Sequence, residues 1–197
     1  MSDTHDPLRR TLLAALASAP FLAGVSPATR GAEMQRQGSR LLVAYFSRSG
    51  NTRVIAGLLQ RTLSTDLLEI QPATPYPEDY LQTVEQARQE RSSGYRPALA
   101  SMEVDLASYD TLLLGFPIWG GSTPAVIRSF LAAHDLSGKT LIPFVTHGGH
   151  GLGDSESILV SHARGARVLE GFSLEADQER RTMERVNRWL DTAGISG

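Results

Sequence analysis

Residues 47–52 have the types and spacing that bind an anion. The segment reads Ser-Arg-Ser-Gly-Asn-Thr and offers the hydroxyls of Ser47, Ser49 and Thr52 together with the amide of Asn51. It joins an apolar run to a predicted helix start, where unpaired N–H groups and the positive end of the helix dipole favour negative charge. Gly50 allows the backbone to approach a ligand closely. A phosphate monoester fits such a loop without a lysine, and the alternative is a helix-capping turn that binds nothing.

The loop differs from two common phosphate-binding motifs. It has no Gly-Lys-Ser/Thr ending, which a nucleoside triphosphate loop needs, and it lacks the Gly-x-Gly-x-x-Gly pattern of dinucleotide-binding turns. Binding of a triphosphate or of a dinucleotide pyrophosphate therefore receives little support.

A second loop, residues 116–124, reads Phe-Pro-Ile-Trp-Gly-Gly-Ser-Thr-Pro and carries Trp119 next to two glycines. A large indole at the apex of a glycine-containing loop is suited to stack on a flat aromatic ligand. The alternative is that Trp119 covers the edge of a sheet as part of the core. The position of Trp119 directly after a predicted strand favours the interpretation that it stacks on a ligand.

A third loop, residues 146–155, contains four glycines between positions 148 and 153. So much glycine costs conformational entropy on folding, and close approach of the backbone to a bulky ligand explains it. His147 and His150 lie in this loop, but no third residue of matching spacing makes a metal site with them. We therefore predict no metal, and we expect these histidines to line a ligand edge or to be exposed.

Composition limits the chemistry further. The 197 residues include no cysteine, which excludes disulfides, thiolate nucleophiles and cysteine-bound metal centres. The net charge of −2 gives no electrostatic support for nucleic acid or an anionic membrane as a partner. No residue has a position that identifies it as a catalytic acid or base, so redox chemistry would require a borrowed cofactor.

Strands and helices alternate from residue 40 onward. Apolar runs predict strands at 41–46, 66–70, 111–115, 140–145 and 168–172, and helical spacing predicts helices at 52–63, 78–90, 124–133, 154–162 and 176–190. In helix 78–90 we expect Tyr80, Leu81, Val84 and Ala87 to point inward. This alternation predicts a doubly wound α/β domain with a five-stranded parallel sheet. The three loops follow strands one, three and four, at the edge where such sheets bind ligands.

The first 39 residues differ from the rest, so we place a domain boundary there and assign residues 40–197 to one domain. An arginine pair, Arg9 and Arg10, precedes a short apolar stretch and a small-residue segment ending near Ala28. This pattern is typical of an export signal of the twin-arginine type, and its apolar stretch is too short to span a membrane. We therefore expect a periplasmic protein with no stable membrane insertion of the mature domain. The alternative is a helical or disordered extension on a cytoplasmic protein.

The loops together resemble those of the flavodoxin superfamily, especially its short-chain members. The matching segments are residues 45–52 (Tyr-Phe-Ser-Arg-Ser-Gly-Asn-Thr), 76–80 (Tyr-Pro-Glu-Asp-Tyr), 115–120 and 151–155. The resemblance implies sheet order 2-1-3-4-5 and FMN at the switch point between strands one and three. No insertion splits the predicted fifth strand, which indicates the short-chain form. It assigns the phosphate to Ser47, Arg48, Ser49, Gly50, Asn51 and Thr52, and the flavin ring to Pro117, Ile118, Trp119, Gly120, His147, Gly148, Gly149 and Gly151.

The resemblance implies an FMN-dependent oxidoreductase or electron carrier. Electron-shuttling flavodoxins are strongly acidic, whereas this chain is nearly neutral and offers His147 and His150 where many shuttles place an aromatic ring. Both differences favour an enzyme of the NAD(P)H or quinone type over a shuttle, with a redox partner or small-molecule acceptor still to be identified. The alternative is a non-catalytic binding module that keeps the fold and uses the phosphate loop for another ligand.

Overall fold

The computed structural model describes residues 40–176, which form a parallel sheet between two layers of helices. The strands are β1 (Leu41–Tyr45), β2 (Asp66–Glu69), β3 (Thr111–Pro117), β4 (Thr140–His147), β5 (Arg167–Val168) and β6 (Phe172–Glu175). Their order is β2-β1-β3-β4-β5, and β6 also pairs with β4. The helices are α1 (Asn51–Leu63), α2 (Tyr80–Ser93), α3 (Ala125–Ala133) and α4 (Ser155–His162), with a short 3₁₀ turn at Leu106–Ser108. The predicted fold class and strand order are confirmed.

The core lies on both faces of the sheet, as a sheet covered by helices on both sides requires. Successive residues of β1 alternate between the faces, so Leu42 and Ala44 belong to one buried cluster, while Val43 and Tyr45 belong to the other. Helix α1 covers the second cluster and α3 covers the first. This double burial explains why β1 is a continuous apolar run.

The predicted fifth strand, 168–172, is wrong in detail because two short strands occupy its place. Residues 142 and 143 of β4 lie opposite residues 169–171, so the edge carries one extra residue. Pro143 has no N–H to donate to a ladder, and a bulge is a usual accommodation for proline in a sheet. A side chain at Gly171 would collide with Pro143, which explains the glycine.

The predicted inward face of α2 is also wrong in part. The helix begins at Tyr80 after Asp79, whose carboxylate accepts a hydrogen bond from the Gln82 N–H, rather than at residue 78. Its buried residues are Thr83 and Glu90, whereas Leu81 and Val84 are exposed. The expected face therefore does not pack into the core.

Two sequence predictions lie outside the described residues. These are the export signal within residues 1–39 and the terminal helix, of which only Ala176 is described. Within residues 40–176, no helix has both the length and the apolar character needed to cross a membrane.

Candidate functional site

The loops that follow β1, β3 and β4 meet around one cleft of about 320 Å³. The strand register brings them together, because Tyr45 pairs with Gly115 and Pro117 pairs with Thr146. The predicted binding residues that line the cleft are Ser47, Arg48, Ser49, Asn51, Thr52, Pro117, Ile118, Trp119, Gly120, His147 and Gly148. Gly50, Gly149 and Gly151 belong to the same loops but do not line it. The volume falls in the range of about 300–1,000 Å³ typical of small-molecule sites.

The first loop presents the start of α1 to the cleft. Gly50 is the N-cap residue with φ of 94°, a left-handed conformation that glycine adopts without strain. No side chain of the described residues caps this helix end, and the Ser47 Oγ instead accepts a hydrogen bond from the Gly50 N–H at 3.2 Å. The first N–H groups of a helix have no partner inside the helix, so this end can bind an anion.

Two side chains expected to hold a phosphate also tie the first loop to the protein. The Thr52 and Thr146 hydroxyls share a buried hydrogen bond of 2.8 Å, and the Asn51 amide nitrogen donates to the Ala176 carbonyl. These contacts fasten α1 to the end of β4 and to the residue after β6. A hydroxyl and a carboxamide each have further hydrogen-bonding capacity, so ligand contact by Asn51 and Thr52 stays a prediction.

The second loop is a tight hairpin. The Trp119 N–H donates to the Ser122 carbonyl at 2.9 Å, and the Ser122 N–H donates back to the Trp119 carbonyl at 3.1 Å. The two residues between them, Gly120 and Gly121, have φ of 57° and 77°. Positive φ at both central positions is the signature of a type I′ turn, which explains the glycine pair.

The Trp119 side chain packs on the core and also lines the cleft, and its stacking on a ligand stays a prediction. Its indole meets the Tyr76 ring edge-to-face at 4.8 Å and the Phe46 ring at 5.4 Å. The Tyr76 hydroxyl donates to the buried Glu90 carboxylate at 2.8 Å, and burial followed by this bond raises the pKa of Tyr76. These contacts hold Trp119 in one orientation at the cleft.

The second and third loops are joined by Asp154, for which the sequence predicted no contact with the second loop. Its carboxylate accepts hydrogen bonds from the Ser122 Oγ at 2.8 Å and the Thr123 N–H at 3.2 Å. The Ser122 hydroxyl in turn accepts from the Arg128 guanidinium at 2.8 Å. This chain of hydrogen bonds fixes the Trp119 hairpin relative to the glycine-rich loop.

Helix α2 forms a further wall of the cleft that the sequence did not predict. Its lining residues are Tyr80, Thr83, Val84, Ala87, Arg88 and Arg91; Thr146, His150 and Ala176 also line the cleft. The spacing of three and four residues along α2 was the available signal, and it was assigned to the core. Hydrogen bonds join α2 and the segment before it to the loops: Arg48 donates to the Glu78 carbonyl, and Arg91 donates to the Trp119 and Gly120 carbonyls.

The cleft wall carries positive charge. Arg48, Arg88 and Arg91 line it, while no aspartate or glutamate does so within residues 40–176. The described residues also contain no group of three or more histidine, aspartate or glutamate side chains that could hold a metal ion. The His147 ring accepts a hydrogen bond from the Gly149 N–H at 3.0 Å and thereby shapes its own loop. The site is suited to an anionic ligand with a flat apolar part.

Comparison with known families agrees with this geometry. The family model described as Flavodoxin matches residues 40–193. The chain belongs to the flavodoxin family. The predicted family is thereby confirmed, and the match covers all three segments, 47–52, 116–124 and 146–155, that were chosen for their chemistry.

Solved structures with the flavodoxin fold are similar over most of their length. A candidate flavoprotein from Bacteroides eggerthii is 33% identical with a TM-score of 0.64, covering 80% of this chain and 99% of that one. Another from Bacteroides uniformis is 34% identical with a TM-score of 0.65, covering 77% and 99%. A flavoprotein from Lactobacillus acidophilus, solved in complex with FMN, is 22% identical with a TM-score of 0.58, covers 77% and 98%, and shows the shared fold. No curated protein sequence matches the chain significantly.

Proposed function

We propose that this flavodoxin-family chain binds FMN in the cleft and acts as an FMN-dependent oxidoreductase or electron-transfer protein. Membership of the family supports FMN as the cofactor. The observation that carries the proposal is the convergence of a helix N-terminus, a tryptophan hairpin and a glycine-rich loop on one cleft. A phosphate nest alone would serve many ligands, but a flat aromatic wall beside it selects a mononucleotide with a large planar ring.

The phosphate end of FMN fits the first loop. Ser49 and the first residues of α1 line the cleft, no side chain within residues 40–176 caps this helix end, and the Arg48 backbone is part of the same turn. A phosphate carries nearly two negative charges at neutral pH and would be stabilised by the helix dipole. Arg48 belongs to this loop and lines the cleft, so it adds positive charge near the proposed phosphate position.

The ring end fits the second and third loops. Pro117, Ile118 and Trp119 provide an apolar surface, and the main chain at Gly148 reaches the cleft wall. Aromatic stacking depends on a fixed ring orientation, which the contacts of Trp119 with Tyr76 and Phe46 provide. Gly149 and Gly151 do not line the cleft, so contact between these two glycines and the ring stays a prediction.

The chain's part in the reaction is binding and orientation. When bound, FMN would supply hydride or single-electron transfer, and the chain has no cysteine for thiol redox chemistry. The residues of this chain hold the phosphate, orient the ring against Trp119 and shield part of it from water. No proton donor is assigned, because none of the cleft side chains is held in a position that marks it for that task.

An absorbance experiment tests the proposal. The purified chain, supplied with FMN and freed of excess cofactor, is expected to keep a flavin spectrum. Anaerobic addition of NADPH then separates two forms of the function: direct bleaching indicates a reductase, and an unchanged spectrum indicates a carrier that needs a protein donor. A colourless protein that takes up no FMN contradicts both forms and favours a binding module.

We also propose that the chain is exported by a twin-arginine signal within residues 1–39. The support is the sequence pattern around Arg9 and Arg10. The wild-type chain should be recovered from the periplasm of a bacterial host, and replacing both arginines by lysine should leave it in the cytoplasm. Cytoplasmic location of the wild-type chain contradicts the proposal.

A further inference from the structure

Helix α2 directs a complete stripe of side chains at the cleft. The stripe consists of Tyr80, Thr83, Val84, Ala87, Arg88 and Arg91, which is the i, i+3, i+4, i+7, i+8, i+11 pattern of one helix face. Such a face normally packs into the core, yet Thr83 is its only buried member. None of the six residues belongs to the three loops that fit FMN. Binding of FMN by the three loops therefore does not explain why this face of α2 borders the cleft.

The chemistry changes along the stripe. Its first half offers the apolar side chains of Val84 and Ala87, and Val84 is 48% exposed although it is apolar. Its second half offers the guanidinium groups of Arg88 and Arg91. A ligand lying along the stripe would contact an apolar surface first and positive charge at the far end.

The cationic end of the stripe lies next to the tryptophan hairpin. Arg91 donates to the Trp119 and Gly120 carbonyls at 3.2 Å each and forms no ion pair within residues 40–176. Arg88 pairs with Glu85 at 2.7 Å, but Glu85 is exposed and does not line the cleft. Carbonyl groups do not neutralise a guanidinium, so positive charge remains at the side of the loop assigned to the flavin ring.

We propose that the α2 stripe binds the reaction partner of the flavin, and that this partner is a planar apolar molecule carrying an anionic group, such as an aromatic sulfonate or carboxylate of the quinone type. The inference rests on the proposed function, in which the three loops hold FMN. The apolar half would bind the ring system, and the arginines would bind the anion through charge-assisted hydrogen bonds. The same charge would repel a basic redox protein.

Binding to the FMN-loaded protein tests the inference without electron transfer. The probes are anthraquinone-2-sulfonate and the uncharged 2-(hydroxymethyl)anthraquinone, measured with oxidised protein by equilibrium dialysis. We expect the sulfonate to bind about tenfold more tightly, equivalent to about 1.4 kcal/mol. The preference should shrink at high salt, because the arginines are solvent-accessible.

Matched variants locate the site. Arg88→Gln should reduce the sulfonate preference several-fold, whereas Arg61→Gln, an exposed arginine at the end of α1, should leave it unchanged. Val84→Ala should weaken both probes roughly threefold to tenfold through lost apolar contact, equivalent to about 0.7–1.4 kcal/mol. Leu81→Ala is its control, because Leu81 is 63% exposed on the same helix and does not line the cleft.

The outcomes separate the two proposals. FMN uptake combined with a sulfonate preference that Arg88→Gln reduces supports the inference. FMN uptake with equal binding of both probes, or with binding of the sulfonate only to FMN-free protein, overturns the inference alone. Failure to take up FMN overturns the proposed function and this inference together. The FMN dissociation constant and melting temperature of each variant show whether a loss of probe binding is local.

Discussion

Replacing Asp154 by alanine should loosen the cleft and weaken FMN binding. The carboxylate receives one hydrogen bond from the Ser122 hydroxyl and one from the Thr123 N–H. Both donors belong to buried residues directly after the tryptophan hairpin. Without the carboxylate, the backbone hydrogen bond from the residue 154 N–H to the Gly121 carbonyl would still join the hairpin to the glycine-rich loop.

The magnitude follows from these two bonds. A hydrogen bond to a charged group contributes about 1.5–3 kcal/mol, so both together would contribute about 3–6 kcal/mol if fully buried. Asp154 itself is exposed, so water can enter the space left by the carboxylate and accept one of the two hydrogen bonds. We therefore expect the variant to lose about 1–3 kcal/mol of unfolding free energy, or roughly 2–4 °C of melting temperature per kcal/mol for a domain of this size. Asp154→Asn should lose less, because its amide can still accept from Thr123.

Two measurements check this prediction. Thermal unfolding of the FMN-free chain reports the stability loss, and fluorescence titration should show FMN binding weakened about tenfold. Asp135→Ala is the control, since this exposed carboxylate accepts a backbone hydrogen bond from Ser137 in a turn away from the cleft. Wild-type FMN affinity and melting temperature for Asp154→Ala would refute the role assigned to this residue.

Three further predictions concern the support of the site. Burial and the Glu90 carboxylate raise the pKa of Tyr76 above its ordinary value of 10.0. The protonated Tyr76 hydroxyl therefore contributes its full share of the unfolding free energy below about pH 10, and this contribution falls as pH rises further. Tyr76→Phe should lose about 1–3 kcal/mol at pH 7 and show a shallower alkaline decline in urea unfolding; an unchanged decline would contradict this. Gly115→Ala would drive a methyl group into the Phe144 ring and should cost about 1–3 kcal/mol in the same assay, and wild-type stability would disprove the packing argument. Trp119→Ala should weaken FMN binding by roughly fivefold to 150-fold, the loss of about 1–3 kcal/mol typical of base–aromatic stacking, with Trp119→Phe between it and wild type; equal titration curves would show that the ring does not stack there.

The parts of the fold that depend on local pattern were predictable from the sequence. The apolar run of β1 and the alternation of strands and helices predicted a parallel sheet covered by helices, and the resemblance to flavodoxins implied the strand order that the structure has. Loop position after β1, β3 and β4 was enough to place Ser49, Trp119 and Gly148 around one cleft. Parallel strands bring their carboxyl ends to one edge, and the strand order implied by the resemblance makes strands one, three and four neighbours there.

The failures came from contacts that hydrophobic periodicity does not reveal. A single strand was predicted at 168–172, but Pro143 lies opposite the gap between β5 and β6. The apolar spacing of Leu81 and Val84 predicted a buried face, yet the core instead holds the polar Glu90, because Tyr76 and Gln86 satisfy its carboxylate. Hydrophobic periodicity indicates that a helix has an apolar face, but it does not indicate which part of the protein, if any, packs against that face.

The same reasoning explains the missed site residues. Asp154 carries a helix-start signal in the sequence, and nothing local indicates that its carboxylate reaches Ser122, which lies 32 residues earlier. The α2 stripe has the spacing of a core face, and only the fold shows that it borders the cleft. Residues that join loops are therefore harder to predict than residues that form them.

Titration of the purified chain with FMN and with riboflavin tests the central claim most directly. The two ligands share the flavin ring, but only FMN has the phosphate that the loop at 47–52 is proposed to bind. We predict saturation at one FMN per chain and riboflavin binding weaker by at least about tenfold, equivalent to about 1.4 kcal/mol. Absence of saturable FMN binding, or equal affinity for riboflavin, would contradict the assignment of this loop and cleft.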